Sequence, residues 1–187
     1  EYRSQCLECI TSVRSSAAVR FRAERDQLLH IAAGVLLYKI LNITDEDQIN
    51  RTEYGKPFLH AGKPFFSLSH SGSYSALAVS DAEVGIDIEP IETSYPVEYP
   101  ARRAFTREEL LWMQEGNQPE RFAVLWTCKE AIMKVDGRGF ALDPKGISAK
   151  DPQSWVVEYR IIDKHVVSCA MYEPFKMDIH LVQLRDS

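Results

Sequence analysis

Between residues 23 and 41, AERDQLLHIAAGVLLYKIL, apolar side chains fall at Leu28, Ile31, Ala32, Val35, Leu36 and Ile40. That is the spacing of one broad helical face, and it predicts a long helix with this face buried. NITDEDQIN then breaks the period. TEYGKPFLHAGKPFF carries Gly-Lys-Pro at 55–57 and again at 62–64. Each tripeptide predicts a turn or extended loop, because glycine tolerates positive φ and the residue before proline is pushed out of the helical region. From Phe65 the period shortens to two. FFSLSHS, SALAVS and VGIDIEP predict consecutive strands, with turns at Gly72 and at Ser80 to Glu83, forming an antiparallel portion of a sheet. YPVEYPARRAF reads as a loop leading to helices at roughly 106–115 and 120–135, the second stopped by DGRGF. SWVVEYRII, HVVSCAMY and KMDIHLVQL alternate again and predict strands. Helix, strands, helices, strands is an α+β order in which each half has a helix to cover a small sheet. No internal sequence repeat is visible.

Composition narrows the class. A chain of 187 residues can bury a substantial core, as one domain or as two small ones sharing an interface. With 45% hydrophobic and 26% charged residues, it has the balance of a soluble globular protein. The net charge of -5 disfavours an extended nucleic-acid surface but leaves room for a local basic pocket that takes a small anion. Cys6, Cys9, Cys128 and Cys169 are too few for a disulfide scaffold and point to a reducing compartment, the cytoplasm. Cys6 and Cys9 have the spacing of half a zinc site, with no second pair to complete it. No apolar run approaches a membrane span, and no leader with a basic start and an apolar run is expected. The chain does not open on methionine, so its numbering is expected to begin inside a longer or processed polypeptide.

The candidate chemistry starts in VGIDIE. Residues two apart on a strand face the same way, so Asp87 and Glu89 share one face while Ile86 and Ile88 pack the other. Adjacent carboxylates repel unless a hard cation accepts their oxygens. The plain alternative is a solvated strand edge. In RFAVLWTCKEAIMKVDGRG, Phe122, Leu125, Trp126, Lys129 and Met133 lie along one helical side, with Glu130 one turn beyond Trp126 and Lys134 one turn beyond Glu130. Such a Glu-to-Lys pair commonly does no more than support a helix by about 0.2 to 0.5 kcal/mol. Beside a large aromatic, however, Glu130 can project into a cleft. SLSHSG invites a serine-hydrolase reading, but it lacks the glycines of a nucleophile elbow and lies between strands.

GKPFFSLSHSGSYSALAVS, VGIDIE and FAVLWTCKEAIMKVDGRG, in that order and spacing, closely resemble the 4'-phosphopantetheinyl transferases, specifically the monomeric group that modifies acyl or peptidyl carrier proteins. The resemblance runs from near Arg25 to about Phe140, with a looser match in the final strands. It implies two similar α/β subdomains related by approximate twofold symmetry, 1–90 and 91–187, with coenzyme A held between them. It implies Mg²⁺, or Mn²⁺ in its place, on Asp87, Glu89 and Glu130, a ligand set suited to a hard ion. The implied reaction moves phosphopantetheine from coenzyme A to a carrier serine and releases 3',5'-ADP. Glu130 is then the base, acting directly or through a metal-bound water, and Lys134, with Lys129 as a nearby alternative, places positive charge near the transferred phosphoryl group.

The same resemblance assigns His70, flanked by Ser69 and Ser71, to a phosphate of coenzyme A, Lys56 to the nucleotide pocket, and Gly55 and Pro57 to the loop around the adenine. Ser67 stands where the family often has Asn. Arg20, Arg22 and Arg25 are the basic residues near the first long helix, with Arg20 and Arg25 assigned to the nucleotide, and His30 occupies a place where a longer basic side chain is frequent. The carrier is expected to dock on the loop from Ile91 to Phe105, through Tyr95, Tyr99, Arg102 and Arg103, and on ELLWM at 109–113. Fatty-acid, polyketide, peptide-synthetase and amino-adipate-reducing carriers all present a suitable serine. The alternatives are a coenzyme A-binding or carrier-binding module without catalysis, and a magnesium-dependent phosphoesterase.

Overall fold

The computed structural model describes residues 2–92, 94 and 96–183. Two short helices, α1 (Tyr2–Cys9) and α2 (Ser12–Ala18), precede the long helix α3 (Glu24–Leu41). A hairpin of β1 (Ile49–Arg51) and β2 (Pro57–Leu59) follows, then a second of β3 (Phe65–Ser71) and β4 (Tyr74–Ser80). After β5 (Val84–Pro90) come α4 (Glu98–Ala104), α5 (Arg107–Gln114) and α6 (Gln118–Asp136), and finally the hairpin of β6 (Val156–Ile162) and β7 (His165–Met171). The expected α+β class with small antiparallel sheets is what the chain adopts.

The faces of α3 differ from the sequence expectation. Leu28 and Ile40 are exposed, while Leu29, Ile31, Ala33, Val35 and Leu37 are buried. The reason is that α3 is covered on two sides. Ile31 and Val35 pack with Cys6, Ile10 and Ala18 of the N-terminal helices, and Leu37 packs with Ile43, Leu59 and Phe66 of the hairpins. Two covered flanks shift the buried stripe away from the single face that the spacing suggests.

Two further expectations are corrected. YPVEYPARRAF is not all loop, since Glu98–Ala104 is helical with Pro100 in its first turn, where a missing N–H costs no helical bond. This helix buries Ala101 and Ala104 beside Phe105. KMDIHLVQL forms no strand among the described residues. Its alternation still has a cause: Phe175, Met177 and Ile179 pack against Ile86, Ile88, Val167 and Cys169, so alternate side chains are covered without a backbone ladder.

Strand β5 is the organising element. It pairs with β7, which also pairs with β6, and these three form one sheet. It does not continue the β3–β4 hairpin by backbone pairing. Side-chain hydroxyls make that connection: Ser67 Oγ accepts from Ile86 N at 3.1 Å, Ser69 Oγ donates to Asp87 at 2.7 Å and Ser71 Oγ donates to Glu89 at 2.5 Å. The partners rise in number together, so β3 and β5 run side by side in the same sense. On its other flank β5 lies under α6. A Cβ at Gly85 would collide with the Ala131 carbonyl oxygen and sit 2.5 Å from Val135 N.

At the far end of β3, Gly72 has φ +60 and His165 fills the space where a side chain would stand. Arg25 Nε donates to the Gly72 carbonyl at 2.7 Å, so residue 72 ties α3, the β3–β4 turn and β7 together.

Gly85 faces helix backbone, which cannot yield as a flexible side chain would. Gly85→Ala is therefore expected to destabilise the fold by about 3 kcal/mol or more. Urea unfolding with an unchanged m-value would measure this, and a loss below about 1 kcal/mol would contradict the close β5–α6 approach.

Candidate functional site

Alternation on β5 sends Ile86 and Ile88 into an apolar cluster and leaves Asp87 and Glu89 facing α6. There a cavity of about 500 Å³ is lined by two groups of charged side chains: Asp87, Glu89, Glu130 and Lys134, which act on one another beside Trp126 and form its acidic end, and Arg14, His30, Arg51 and His70, linked in the same way, which form its cationic end. Helix α6 presents Trp126, Glu130 and Lys134 as a ridge of i, i+4 steps.

The acidic end is tightly organised. Lys134 Nζ lies 2.7 Å from Asp87 Oδ1 and 3.0 Å from Ser69 Oγ, and the same Oδ1 accepts from Ser69. Asp87 Oδ2 is buried and has no partner. Burial, then Asp87, push the Glu130 carboxyl up to about 7, with Lys134 opposing and Glu89 adding to the rise. Glu89 is raised above the ordinary carboxylate range, chiefly by burial, against the Ser71 hydrogen bond.

Three carboxylates thus share one ammonium. Among the described residues, no three His, Cys, Asp or Glu side chains are already drawn together as a metal cage. The donor set nevertheless fits a hard divalent cation: all its atoms are carboxylate oxygens, one of them is buried without a partner, and two carboxyls are raised above their ordinary range by burial and by the neighbouring Asp87.

The cationic end combines two elements that the sequence pattern predicts, α3 and β3, with two that it did not resolve, α2 and β1. Arg14 comes from α2, His30 from α3, Arg51 from β1 and His70 from the end of β3. Burial, then Arg51, lower the Arg14 guanidinium against the attraction of Glu46. Opposite ends of opposite sign suit a ligand that carries a metal-bridged phosphate at one end and a bare phosphate at the other.

Of the residues singled out from sequence, Asp87, Glu89, Glu130, Lys134, Ser69, His70 and Pro57 line this cavity. Lys129 does not. Its ammonium is fully buried on the other side of α6, paired with Glu109 at 2.8 Å and donating to the carbonyls of Pro144 and Ile147. Glu109 also caps α5 and accepts from Ala149 N, so the pair fastens α5, α6 and the 143–149 loop. Lys56 points away as well. It donates to Glu83 at 2.5 Å and to the Val135 carbonyl at 3.0 Å, near the C-terminus of α6 where a cation is favoured. Gly55 sits exposed in the β1–β2 turn with φ +87. Arg20 and Arg25 are exposed and line no part of the cavity.

Arg14 and Arg51 were missed. The only local sign of Arg14 is Thr11, which caps α2 by accepting from Arg14 N. Arg51 lies in a strand of three residues, too short for a periodicity. In the expected docking region Tyr99 is exposed with the Arg103 guanidinium 5.9 Å over its ring, but within ELLWM both Glu109 and Met113 are buried and Leu111 is the exposed apolar residue. Tyr95 lies outside the described residues.

The model of the 4'-phosphopantetheinyl transferase superfamily matches residues 83–184. The chain is 31% identical over 174 residues to the 4'-phosphopantetheinyl transferase gsp of Aneurinibacillus migulanus, covering 88% of this chain and 71% of that protein. It is 33% identical over 168 residues to the 4'-phosphopantetheinyl transferase psf-1 of Bacillus pumilus, covering 84% and 70%. Against the 4'-phosphopantetheinyl transferase Sfp of Bacillus subtilis it is 29% identical over 213 residues, covering 100% and 93%.

Glu130 carries a testable cost. Its folded pKa of about 7 lies above the ordinary 4.5, so the folded state binds the extra proton and stability falls as pH rises through that interval. In EDTA, Glu130→Gln is expected to be more stable than wild type at pH 8 by about 1 to 2 kcal/mol, allowing for solvent screening of a half-buried group, and to gain little at pH 4. Thermal unfolding at the two pH values measures the difference, and an equal effect at both would sink the assignment.

Proposed function

The chain belongs to the 4'-phosphopantetheinyl transferase superfamily, whose members move phosphopantetheine onto carrier proteins, and from that premise we propose how its cavity performs the transfer. The donor is coenzyme A, the acceptor is a serine of an apo acyl or peptidyl carrier protein, and 3',5'-ADP leaves. The observation that carries the reading is the polarity of the cavity, with three carboxylates at one end and four basic side chains at the other.

In this reading Arg14, His30, Arg51 and His70 hold the nucleotide phosphate, and Asp87, Glu89 and Glu130 would hold Mg²⁺ or Mn²⁺. Bound there, the ion would neutralise the pyrophosphate of coenzyme A and polarise the phosphorus under attack. Glu130 accepts the proton of the carrier serine as its oxygen bonds to the β-phosphorus and the bond to the departing 3',5'-ADP oxygen breaks. Lys134, held by Asp87 and Ser69, brings positive charge to the phosphoryl oxygens. Ser71 keeps Glu89 turned toward the cavity. Lys129 and Lys56 hold the scaffold, which accounts for their distance from the chemistry.

The carrier would meet the exposed Tyr99, Arg103 and Leu111, where positive charge stands beside apolar surface, as an acidic carrier helix requires. The remaining parts of the proposal are a monomer with halves 1–90 and 91–187 flanking the cavity, a cytoplasmic setting supported by four free cysteines, and service to fatty-acid, polyketide or peptide-synthetase carriers. No helix among the described residues is long and apolar enough to cross a membrane.

Intact-mass analysis of an apo carrier incubated with the chain, coenzyme A and Mg²⁺ tests this. A phosphopantetheine gain is expected on the carrier serine, abolished by EDTA. Its rate should fall by about 10² to 10⁴-fold in Glu130→Gln and about 10² to 10³-fold in Lys134→Ala. Coenzyme A binding without transfer to any carrier would instead favour a non-catalytic binding module.

A further inference from the structure

Two buried nitrogens at the cationic end have no partner: Nε of Arg14 and Nε2 of His30. They are neighbours because α2 lies directly across α3. Gly34, one turn beyond His30, has no side chain, and a Cβ there would lie 3.5 Å from Arg14 Cδ and 2.7 Å from the Ile10 side chain. Among the described residues, the groups acting on His30 are Arg14 from α2, His70 from β3 and a single carboxylate, Glu46, from the turn before β1. Arg51 from β1 acts on Arg14, and the Phe21 ring tilts against the imidazole at 5.3 Å. Glu46 is already engaged by the Thr11 hydroxyl at 2.9 Å.

This setting works against a charged imidazole in the free protein. Burial, then Arg14, lower the ring below the ordinary histidine range, with a hydrogen bond to the Arg14 main chain and Glu46 opposing. An anion seated between Arg14 and His30 reverses the balance. It accepts hydrogen bonds from both unpartnered nitrogens, and it supplies the negative charge that favours imidazolium.

We infer that His30 makes recognition of coenzyme A proton-linked: as a phosphate dianion docks between Arg14 and His30, the chain takes up a proton at the His30 ring. The inference rests on the reading that this cavity holds coenzyme A. A lysine or arginine in this place would stay charged throughout the neutral range, whereas histidine makes the grip conditional. Affinity is greatest where the free ring is already protonated. It declines as pH rises until it passes the value that the ring reaches in the complex.

The test is calorimetric titration of the chain, in EDTA, with 3',5'-ADP and with 5'-AMP, which lacks the 3'-phosphate. Each titration at pH 7.5 is run in two buffers of different ionisation enthalpy, and affinities are followed from pH 6.5 to 8.5. A phosphate monoester has its second pKa at about 6, so the ligand is mainly dianionic over this range. Expected for wild type is net proton uptake with 3',5'-ADP but not with 5'-AMP, and a loss of affinity of about 5- to 10-fold across the range. His30→Arg should bind 3',5'-ADP with no uptake and a change of about twofold or less, and His30→Gln should bind weakly and without uptake.

Wild-type binding of 3',5'-ADP that is independent of pH and buffer overturns the inference while leaving the coenzyme A reading intact. So does uptake that persists in either variant. No binding of 3',5'-ADP by wild type at any pH overturns the reading of the cavity itself.

Discussion

The site depends on how closely β5 approaches α6. At Gly85 the strand backbone lies against the helix backbone, and two residues on, Asp87 comes within 2.7 Å of Lys134. A wider gap would separate the acids of the strand from Glu130 and Lys134 of the helix, leaving two half-sites. The buried Lys129–Glu109 pair reinforces the approach from behind, fixing α6 to α5 and the 143–149 loop. One removed partner would leave a charge in the core without compensation, a costly outcome that keeps this arrangement rigid.

Within that frame the cavity separates opposite charges by element. The carboxylates stand on β5 and α6 with Lys134 among them, and the other basic groups on α2, α3, β1 and β3. Burial, and then the like charges held together at each end, leave the free protein with raised carboxyl pKa values, a lowered imidazole and atoms without partners. Such tension is relieved only by ligands of complementary sign, so it belongs to binding more than to stability.

Periodicity made much of this legible. The alternation of VGIDIE placed Asp87 and Glu89 on one face, and the helical spacing of RFAVLWTCKEAIMKVDGRG placed Glu130 a turn from Lys134. What spacing could not supply was which side of a helix meets which neighbour. Lys129 lies on the far side of α6 because Glu109 receives it there, a partner twenty residues earlier in the chain. Arg14 and Arg51 belong to elements of seven and three residues, whose placement is decided by packing against α3 and the hairpins. KMDIHLVQL alternates as a strand does, yet only its side chains find a surface, and backbone pairing has no signature of its own in the sequence.

The pairing of β5 with β7 has a consequence for synthesis. Asp87 and Glu89 are synthesised early, but the strand that covers their backbone is made only at residues 165–171. In between, the backbone edge of β5 that β7 will pair is open, the kind of surface on which nascent chains associate wrongly. Every residue that lines the cavity is therefore made before the strand that pairs with β5 and completes its support.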